Sequence, residues 1–301
     1  TLFPTRRSSD LLPSARHVVN LCDDRYRFTV AFCAATVTGQ TNLLPGTRAP
    51  QAIAETLAAY PDSYVLAERA FDPAPARQFV LPEILRAGNA SMPTLPPDRV
   101  VAIAFTSGST GIPKANPKTW GAVCASSSCN AAAVRKDGVP NIVATVPPQH
   151  MYGLELSVLL PLRSRAAIHS GQPFFPADIA RALAQVPAPR MLVTTPHHLR
   201  ALLRADIALP ALDAIVSATA PLDAQLADAA EIRYSTHVIE LFGSTETCVI
   251  ARRRAARDEP WDLYPGVSLQ PQPDGTLVDA PYFPAPTLLH DIVELLPDRS
   301  F

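Results

Sequence analysis

Apolar and polar positions along this chain form short apolar runs that alternate with stretches of helical spacing. His17–Cys22 is a brief apolar run and reads as a strand. A helix is expected after it, capped by Asp23 or Asp24, carrying Phe28, Ala31, Phe32 and Ala35 and ending near Gly39. Asn42-Leu-Leu-Pro-Gly46 reads as a turn, Ala49–Tyr60 as a helix and Ser63–Ala67 as a strand. Residues 71–98, rich in Pro, Ala and Gly, read as a connector. Val100–Phe105 is strand-like again. Thr119–Val134 sets Trp120, Val123, Cys124, Ser127 and Ala131 at helical spacing.

Beyond this helix the alternation is regular. Apolar runs at Ile142–Val146, Ala166–Ile168, Met191–Thr194, Ala214–Ser217 and Val238–Leu241 are separated by helical segments at Glu155–Leu162, Pro176–Val186, His197–Arg204 and Asp223–Ile232. Pro176 and Asp178 fit the preference for proline and acid in a first helical turn. Strand–helix repetition with short connections predicts a parallel sheet with right-handed crossovers. Such sheets bind ligands beyond the carboxyl ends of their strands. Past Glu246 the alternation stops, and Gly266–Leu269, Thr276–Val278, Thr287–Leu289 and Ile292–Leu295 suggest a small β-barrel or ribbon.

Composition narrows the classes. A chain of 301 residues, 48% hydrophobic, can bury one large core or two ordinary ones. A formal net charge of −1 gives no electrostatic case for nucleic acid or an anionic membrane surface. The Arg252–Arg254 run reads as a solvated loop, and no apolar run reaches membrane-spanning length. The five cysteines contain no C-x-x-C pair, which fits buried thiols in a reducing cytoplasm. Residues 1–11 lack an initiator methionine, and no apolar core follows Arg6-Arg7 as a signal peptide requires. That segment resembles a translated sequencing adapter and is set aside as non-native; on that reading the chain is expected to be a fragment.

The densest chemistry lies at Thr106-Ser107-Gly108-Ser109-Thr110-Gly111-Ile112-Pro113-Lys114, directly after an apolar strand. Glycines bring backbone N–H groups close to a ligand, hydroxyls donate, and the ammonium cancels negative charge: a grip for a polyphosphate. It is not a Walker A loop, which needs glycine where Pro113 sits and a hydroxyl where Ala115 sits. The stretch resembles the phosphate-loop signature of the acyl-adenylate-forming superfamily, which includes acyl- and aryl-CoA synthetases, carrier-protein ligases and peptide-synthetase adenylation domains. Three further stretches, each after a strand, resemble that superfamily. Pro147-Pro-Gln-His-Met-Tyr-Gly-Leu154 is similar to its Pro-x-x-His-x-x-Gly region, which implies that His150 lines the acyl pocket; His150 and Tyr152 would make a wall compatible with an aryl acid. Ser217-Ala-Thr-Ala-Pro-Leu222 resembles Gly-Gly-Ala-Pro-Leu, fitting it at Ala220, Pro221 and Leu222, with Ala218 and Thr219 replacing both glycines. Leu241-Phe-Gly-Ser-Thr-Glu-Thr247 resembles Tyr-Gly-x-Thr-Glu. By that match Phe242 stacks on adenine, Gly243 and Ser244 flank the nucleotide, Thr245 bonds the α-phosphate and Glu246 holds Mg²⁺. Asp291, after His290, resembles the end of the Thr-Gly-Asp ribose motif.

The resemblance implies an α/β fold: two stacked parallel-sheet subdomains of an adenylate-forming N-terminal domain, plus a small β-rich piece. The expected boundaries are 12–95 for an incomplete first subdomain, 96–260 for the ATP- and acyl-binding subdomain and 261–301 for the β-rich segment. The superfamily's C-terminal lid, with its late lysine, is not expected here, since no lysine follows Lys136. The activity implied is ATP-dependent, Mg²⁺-assisted conversion of an aryl or aliphatic carboxylic acid to acyl-AMP. Lys114, His150, Thr245 and Glu246 would be catalytic, and CoA or the phosphopantetheine of an acyl carrier protein would accept the acyl group. The alternatives are a non-catalytic module that binds nucleotide or adenylate, and an unrelated α/β hydrolase, against which the lack of a G-x-S-x-G elbow counts.

Overall fold

The computed structural model of the chain describes residues 11–72, 74–75, 77–82, 93–106, 114–134, 140–297 and 300–301. It comprises two compact units, Thr1–Val123 with Pro148–His150, and Cys124–Pro147 with Met151–Phe301.

The first unit is built on a six-stranded sheet. Its strands are β1 (His17–Asn20), β2 (Thr41–Leu44), β3 (Ser63–Ala67), β4 (Gln78–Val80), β5 (Val100–Thr106) and β6 (Lys114–Thr119), in the order β4-β3-β1-β2-β5-β6. The first five run parallel and β6 returns antiparallel to β5. Helix α1 (Arg25–Val37) starts at Asp24, whose carboxylate accepts from the Arg27 N–H, and α2 (Pro50–Ala59) starts on a proline. The turn expected at Asn42–Gly46 is corrected: Asn42, Leu43 and Leu44 belong to a central strand. Asn42 is fully buried and its amide donates to the Val101 carbonyl at 3.1 Å, so a residue typical of turns serves the sheet interior. The connector expected at 71–98 is corrected in part, since β4 within it pairs with β3. β6, on the sheet edge, was not expected; Pro117 is tolerated there because an edge strand leaves one side unpaired. The boundary expected at 95/96 falls inside this sheet, because β5 pairs with β2.

The second unit is built on a seven-stranded sheet. Its strands are β7 (Asn141–Ala144), β8 (Ala167–Ile168), β9 (Arg190–Thr194), β10 (Ala214–Ser217), β11 (Val238–Ser244), β12 (Cys248–Arg253) and β13 (Asp262–Leu263), ordered β13-β12-β11-β10-β9-β7-β8. β8, β7, β9, β10 and β11 are parallel; β12 and β13 are antiparallel additions. Helices α6 (Pro176–Gln185), α7 (Pro196–Arg204) and α8 (Ala224–Tyr234) fall where the periodicity puts them. Thr195 and Asp223 cap α7 and α8 through their side chains. The helix expected at Glu155–Leu162 is larger and irregular: α4 (Met151–Leu154), a π-helical stretch (Glu155–Leu159) and α5 (Leu160–Arg163). Helix α3 (Trp120–Val134) precedes β7. Buried Ile142, Met191, Val193, Val216 and Ile250 belong to one core cluster of this unit, and Leu183, Leu199, Leu202 and Ala227 to another.

A separate antiparallel sheet follows, of β14 (Ser268–Gln272), β15 (Gly275–Asp279) and β16 (Thr287–Leu289). Ile292–Leu295, expected as a strand, is not one, and Ile292 is exposed. The Arg252–Arg254 run is no solvated loop. Arg253 pairs with buried Glu240 at 2.7 Å, Arg254 with buried Glu231 at 2.6 Å, and Arg252 donates to the Ala133 carbonyl. The fold class is therefore α/β with parallel-containing sheets and a further small antiparallel sheet. All five cysteines are free. Among the described residues no helix is long and apolar enough to cross a membrane.

Candidate functional site

Of the residues expected to form a phosphate loop, Ser107, Gly108, Ser109, Thr110 and Gly111, with Ile112 and Pro113, lie outside the described residues. Lys136 does too. The two ends of the loop belong to the first unit and face each other: Thr106, last in β5, pairs with Lys114, first in β6. The Asn116 amide joins them, donating to the Thr106 hydroxyl at 3.3 Å and to the Lys114 carbonyl at 3.1 Å. Lys114 itself is exposed. Asn116 was missed from sequence, since nothing in an Asn two residues past a lysine announces that it ties a loop's ends. His150 belongs to this unit as well. It is exposed at the surface, yet the protein packed about its ring lowers its pKa by desolvation, so it stands neutral at pH 7.

The hairpin between β11 and β12 in the second unit carries Phe242 to Glu246. Glycine is required at 243 by close approach: a Cβ there would land inside the Cys248 carbonyl oxygen. A register shift between Phe242 and Gly243 bends the strand at this point. The turn is then closed by hydroxyls. Ser244 Oγ accepts from the N–H groups of Glu246 and Thr247 at 3.1 and 3.2 Å, and Thr247 Oγ1 accepts from the Ser244 N–H at 3.0 Å and donates to the Cys248 carbonyl at 2.9 Å. Ser244 and Thr247 thus build the turn, and Thr245 and Glu246 occupy its apex, both half-buried. The Phe242 ring lies against Trp261 at 5.1 Å and Phe301 at 5.3 Å between centroids, and Arg253 stacks over Trp261 at 4.3 Å.

Glu155, on the π-helical stretch, anchors this hairpin from below. Its buried carboxylate accepts from Ser126 Oγ at 2.7 Å, Asn130 Nδ2 at 3.0 Å and the Val249 N–H at 3.3 Å. π-helical turns often mark functional positions, because they divert a side chain from the regular helical face. No sequence motif pointed to Glu155.

Ala220 and Pro221 lie exposed beyond the carboxyl end of β10. The loop is tied to β11 through the Leu222 N–H, which donates to Glu240 Oε1 at 2.7 Å. Glu240 therefore holds Leu222 with one oxygen and Arg253 with the other. Thr219 has φ +80, a left-handed conformation that strains a β-branched residue by about 1–2 kcal/mol. The Ala220–Pro221 loop and the Phe242–Glu246 hairpin thus follow the carboxyl ends of adjacent parallel strands. Lys114 and Thr106 belong to the other unit.

Tyr152 makes no exposed wall, correcting that expectation. It is buried, its hydroxyl donates to the Val216 carbonyl at 2.9 Å, and burial raises its pKa well above 10. Asp291 is exposed after β16, its backbone carbonyl accepting from Thr276 Oγ1 at 2.8 Å. A cavity of about 560 Å³ lies at the opposite, amino end of the second sheet, against Pro140, Leu160, Arg163 and Ala166, and touches none of these residues.

Residues 12–280 match the sequence profile of a family described as AMP-binding enzyme. No curated protein sequence matches significantly. Among solved structures, an E. coli MenE variant with bound OSB-AMS aligns at TM-score 0.71 and 18% identity, over 97% of this chain and 64% of that one. A malonyl-CoA ligase in a ternary product complex with methylmalonyl-CoA and AMP aligns at 0.73 and 23%, over 95% and 67%. ATP-bound MatB from Rhodopseudomonas palustris aligns at 0.74 and 19%, over 92% and 63%. The likeness is one of fold. The chain spans 64% of the length of the first of these neighbours.

Proposed function

The chain belongs to the AMP-binding enzyme family, and from that membership we propose that it activates a carboxylic acid as its acyl-adenylate at the expense of ATP. The acid's carboxylate oxygen bonds to the α-phosphorus of ATP as the bond to pyrophosphate breaks. A thiol, of CoA or of a carrier's phosphopantetheine, then displaces AMP. The observation that carries this reading is the convergence of the Ala220–Pro221 loop and the Phe242–Glu246 hairpin at the carboxyl ends of β10 and β11, where parallel sheets take ligands.

On this reading the Thr245 hydroxyl orients the α-phosphate, and Lys114, opposite Thr106 at the loop's ends, neutralises phosphate charge. His150, whose pKa burial lowers, lines the path of the acid as a neutral side chain that adds no positive charge there. Among the described residues no three His, Cys, Asp or Glu side chains gather to cage a metal. A single carboxylate such as Glu246 suits Mg²⁺, which keeps most of its shell as phosphate oxygens and waters and supplies charge neutralisation when bound. The acid is aryl or aliphatic; the neighbours' ligands, OSB-AMS and methylmalonyl-CoA, cover both kinds.

ATP–pyrophosphate exchange with a panel of aryl and aliphatic acids tests the reading. Exchange is expected with one acid class. Lys114→Ala and Thr245→Ala each reduce it about a hundredfold, and Glu246→Gln raises the Mg²⁺ concentration needed. Mg-ATP binding without exchange would favour a nucleotide-binding module, and a folded chain that binds no Mg-ATP would end the proposal.

A further inference from the structure

Four described non-glycine residues have positive φ: Asp206 (48°), Thr219 (80°), Ser235 (49°) and Cys248 (59°). Three of them have a local reason. Asp206 follows α7, its N–H donating to the Leu203 carbonyl and its carboxylate accepting from Arg233. Ser235 caps α8, its N–H donating to the Glu231 carbonyl. The Cys248 carbonyl accepts the Thr247 hydroxyl inside the hairpin turn.

Thr219 has no such reason. Of the four it is the β-branched one, the type least suited to this conformation. It is exposed, so no core packing holds it, and its hydroxyl meets no partner among the described residues. A glycine would take φ +80 without strain. Backbone strain that nothing among the described residues offsets, kept at a strand's carboxyl end beside Ala220 and Pro221, points to an interaction made with a ligand.

We propose that Thr219 is a specificity-determining residue whose hydroxyl donates to an anionic oxygen of the bound ligand. That oxygen belongs either to the acid's carboxylate or to the nucleotide's α-phosphate. The inference rests on the adenylate-forming reading of this site.

Three variants separate strain from contact: Thr219→Gly removes both side chain and strain, Thr219→Val keeps branching and strain but removes the hydroxyl, and Thr219→Ser keeps the hydroxyl. Thermal unfolding of the ligand-free protein, AMP affinity by calorimetry and the KM for acid in pyrophosphate exchange are measured for each. Thr219→Gly is expected to raise Tm while weakening the ligand about ten- to hundredfold. Thr219→Val weakens it equally with Tm unchanged, and Thr219→Ser binds as the parent does. A loss confined to AMP affinity assigns the phosphate oxygen, and a loss confined to the acid's KM assigns the carboxylate. The inference is overturned if Thr219→Val matches the parent in both, or if Thr219→Gly does not raise Tm. A parent that neither binds AMP nor exchanges pyrophosphate would instead sink the reading of the site, and this inference with it.

Discussion

Glu231 holds two elements together with a single carboxylate. It accepts from Arg254 Nε and Nη2 at 2.8 and 2.6 Å and from the Val238 N–H at 2.9 Å, so α8 is bound to the start of β11 and the end of β12. Burial by itself would raise the Glu231 carboxyl, but the hydrogen bonds from Arg254 and Val238 and the Arg254 charge outweigh it, and its pKa falls below the usual 4.5. A depressed folded-state pKa means that the carboxylate's contribution is fully present above about 4.5, its unfolded value, and is lost as pH falls through the folded value. Glu231→Gln should therefore cost about 2 kcal/mol at pH 7 and lose less stability than the parent between pH 5 and 3, read by urea unfolding at each pH. Glu155 permits a sharper comparison. Glu155→Leu leaves Ser126, Asn130 and the Val249 N–H without their buried acceptor and should cost about 3 kcal/mol, whereas Glu155→Gln, which keeps an acceptor oxygen, should cost about half of that. These residues were illegible in the sequence for a physical reason. Glu155 and Val249 are 94 positions apart, and no local pattern encodes a carboxylate's distant donors. The stretches proposed to face the ligand stood out because glycine, hydroxyl and charge crowd together in a few positions.

Elements were legible where burial has a period. β9, β10, α6, α7 and α8 lie within a residue or two of their expected bounds, because each buries one face or one run. β2 and β12 were missed because their residues contradict the habit of strands. Asn42 sits among turn-forming neighbours but satisfies its amide in the sheet, and Arg252 and Arg253 give β12 a charged end whose partners come from other elements. The β11–β12 hairpin is the element on which the proposed site depends, and its tolerance is predictable. Gly243→Ala drives a methyl into the Cys248 carbonyl, and since that obstacle is backbone rather than a flexible side chain, the hairpin must open. A loss of about 3 kcal/mol or more is expected, with weakened Mg-ATP binding. Gly46→Ala is the control: its Cβ meets only the Phe105 carbonyl oxygen at 3.5 Å, an ordinary contact, and stability should change by less than about 0.5 kcal/mol. Equal losses in the two variants would contradict the hairpin geometry.

At the scale of the molecule the five thiols report on the two units separately. Cys22 and Cys33 lie in the first unit, and Cys124, Cys129 and Cys248 in the second. Burial pushes the Cys33 thiol up to about 12 and the Cys22 thiol higher still, and it raises Cys124 and Cys129 less strongly. The thiolate is the reactive form, so at pH 8 all four should alkylate far more slowly than an exposed cysteine. Half-buried Cys124 and Cys129 are expected to react first, and buried Cys22, Cys33 and Cys248 only through unfolding of their own unit. Pulsed alkylation through a urea gradient, read by mass spectrometry, then yields an opening free energy for each thiol. Cys248 lies two residues past Glu246, so a nucleotide held by that hairpin must be released before Cys248 is exposed. Saturating Mg-ATP at a hundred times its Kd should slow Cys248 alkylation by about a hundredfold, corresponding to roughly 2.7 kcal/mol. If the two units open independently, Cys33 gains less protection than Cys248; if they open together, the gains are equal. No gain at Cys248 while Mg-ATP is bound would move the nucleotide away from the hairpin.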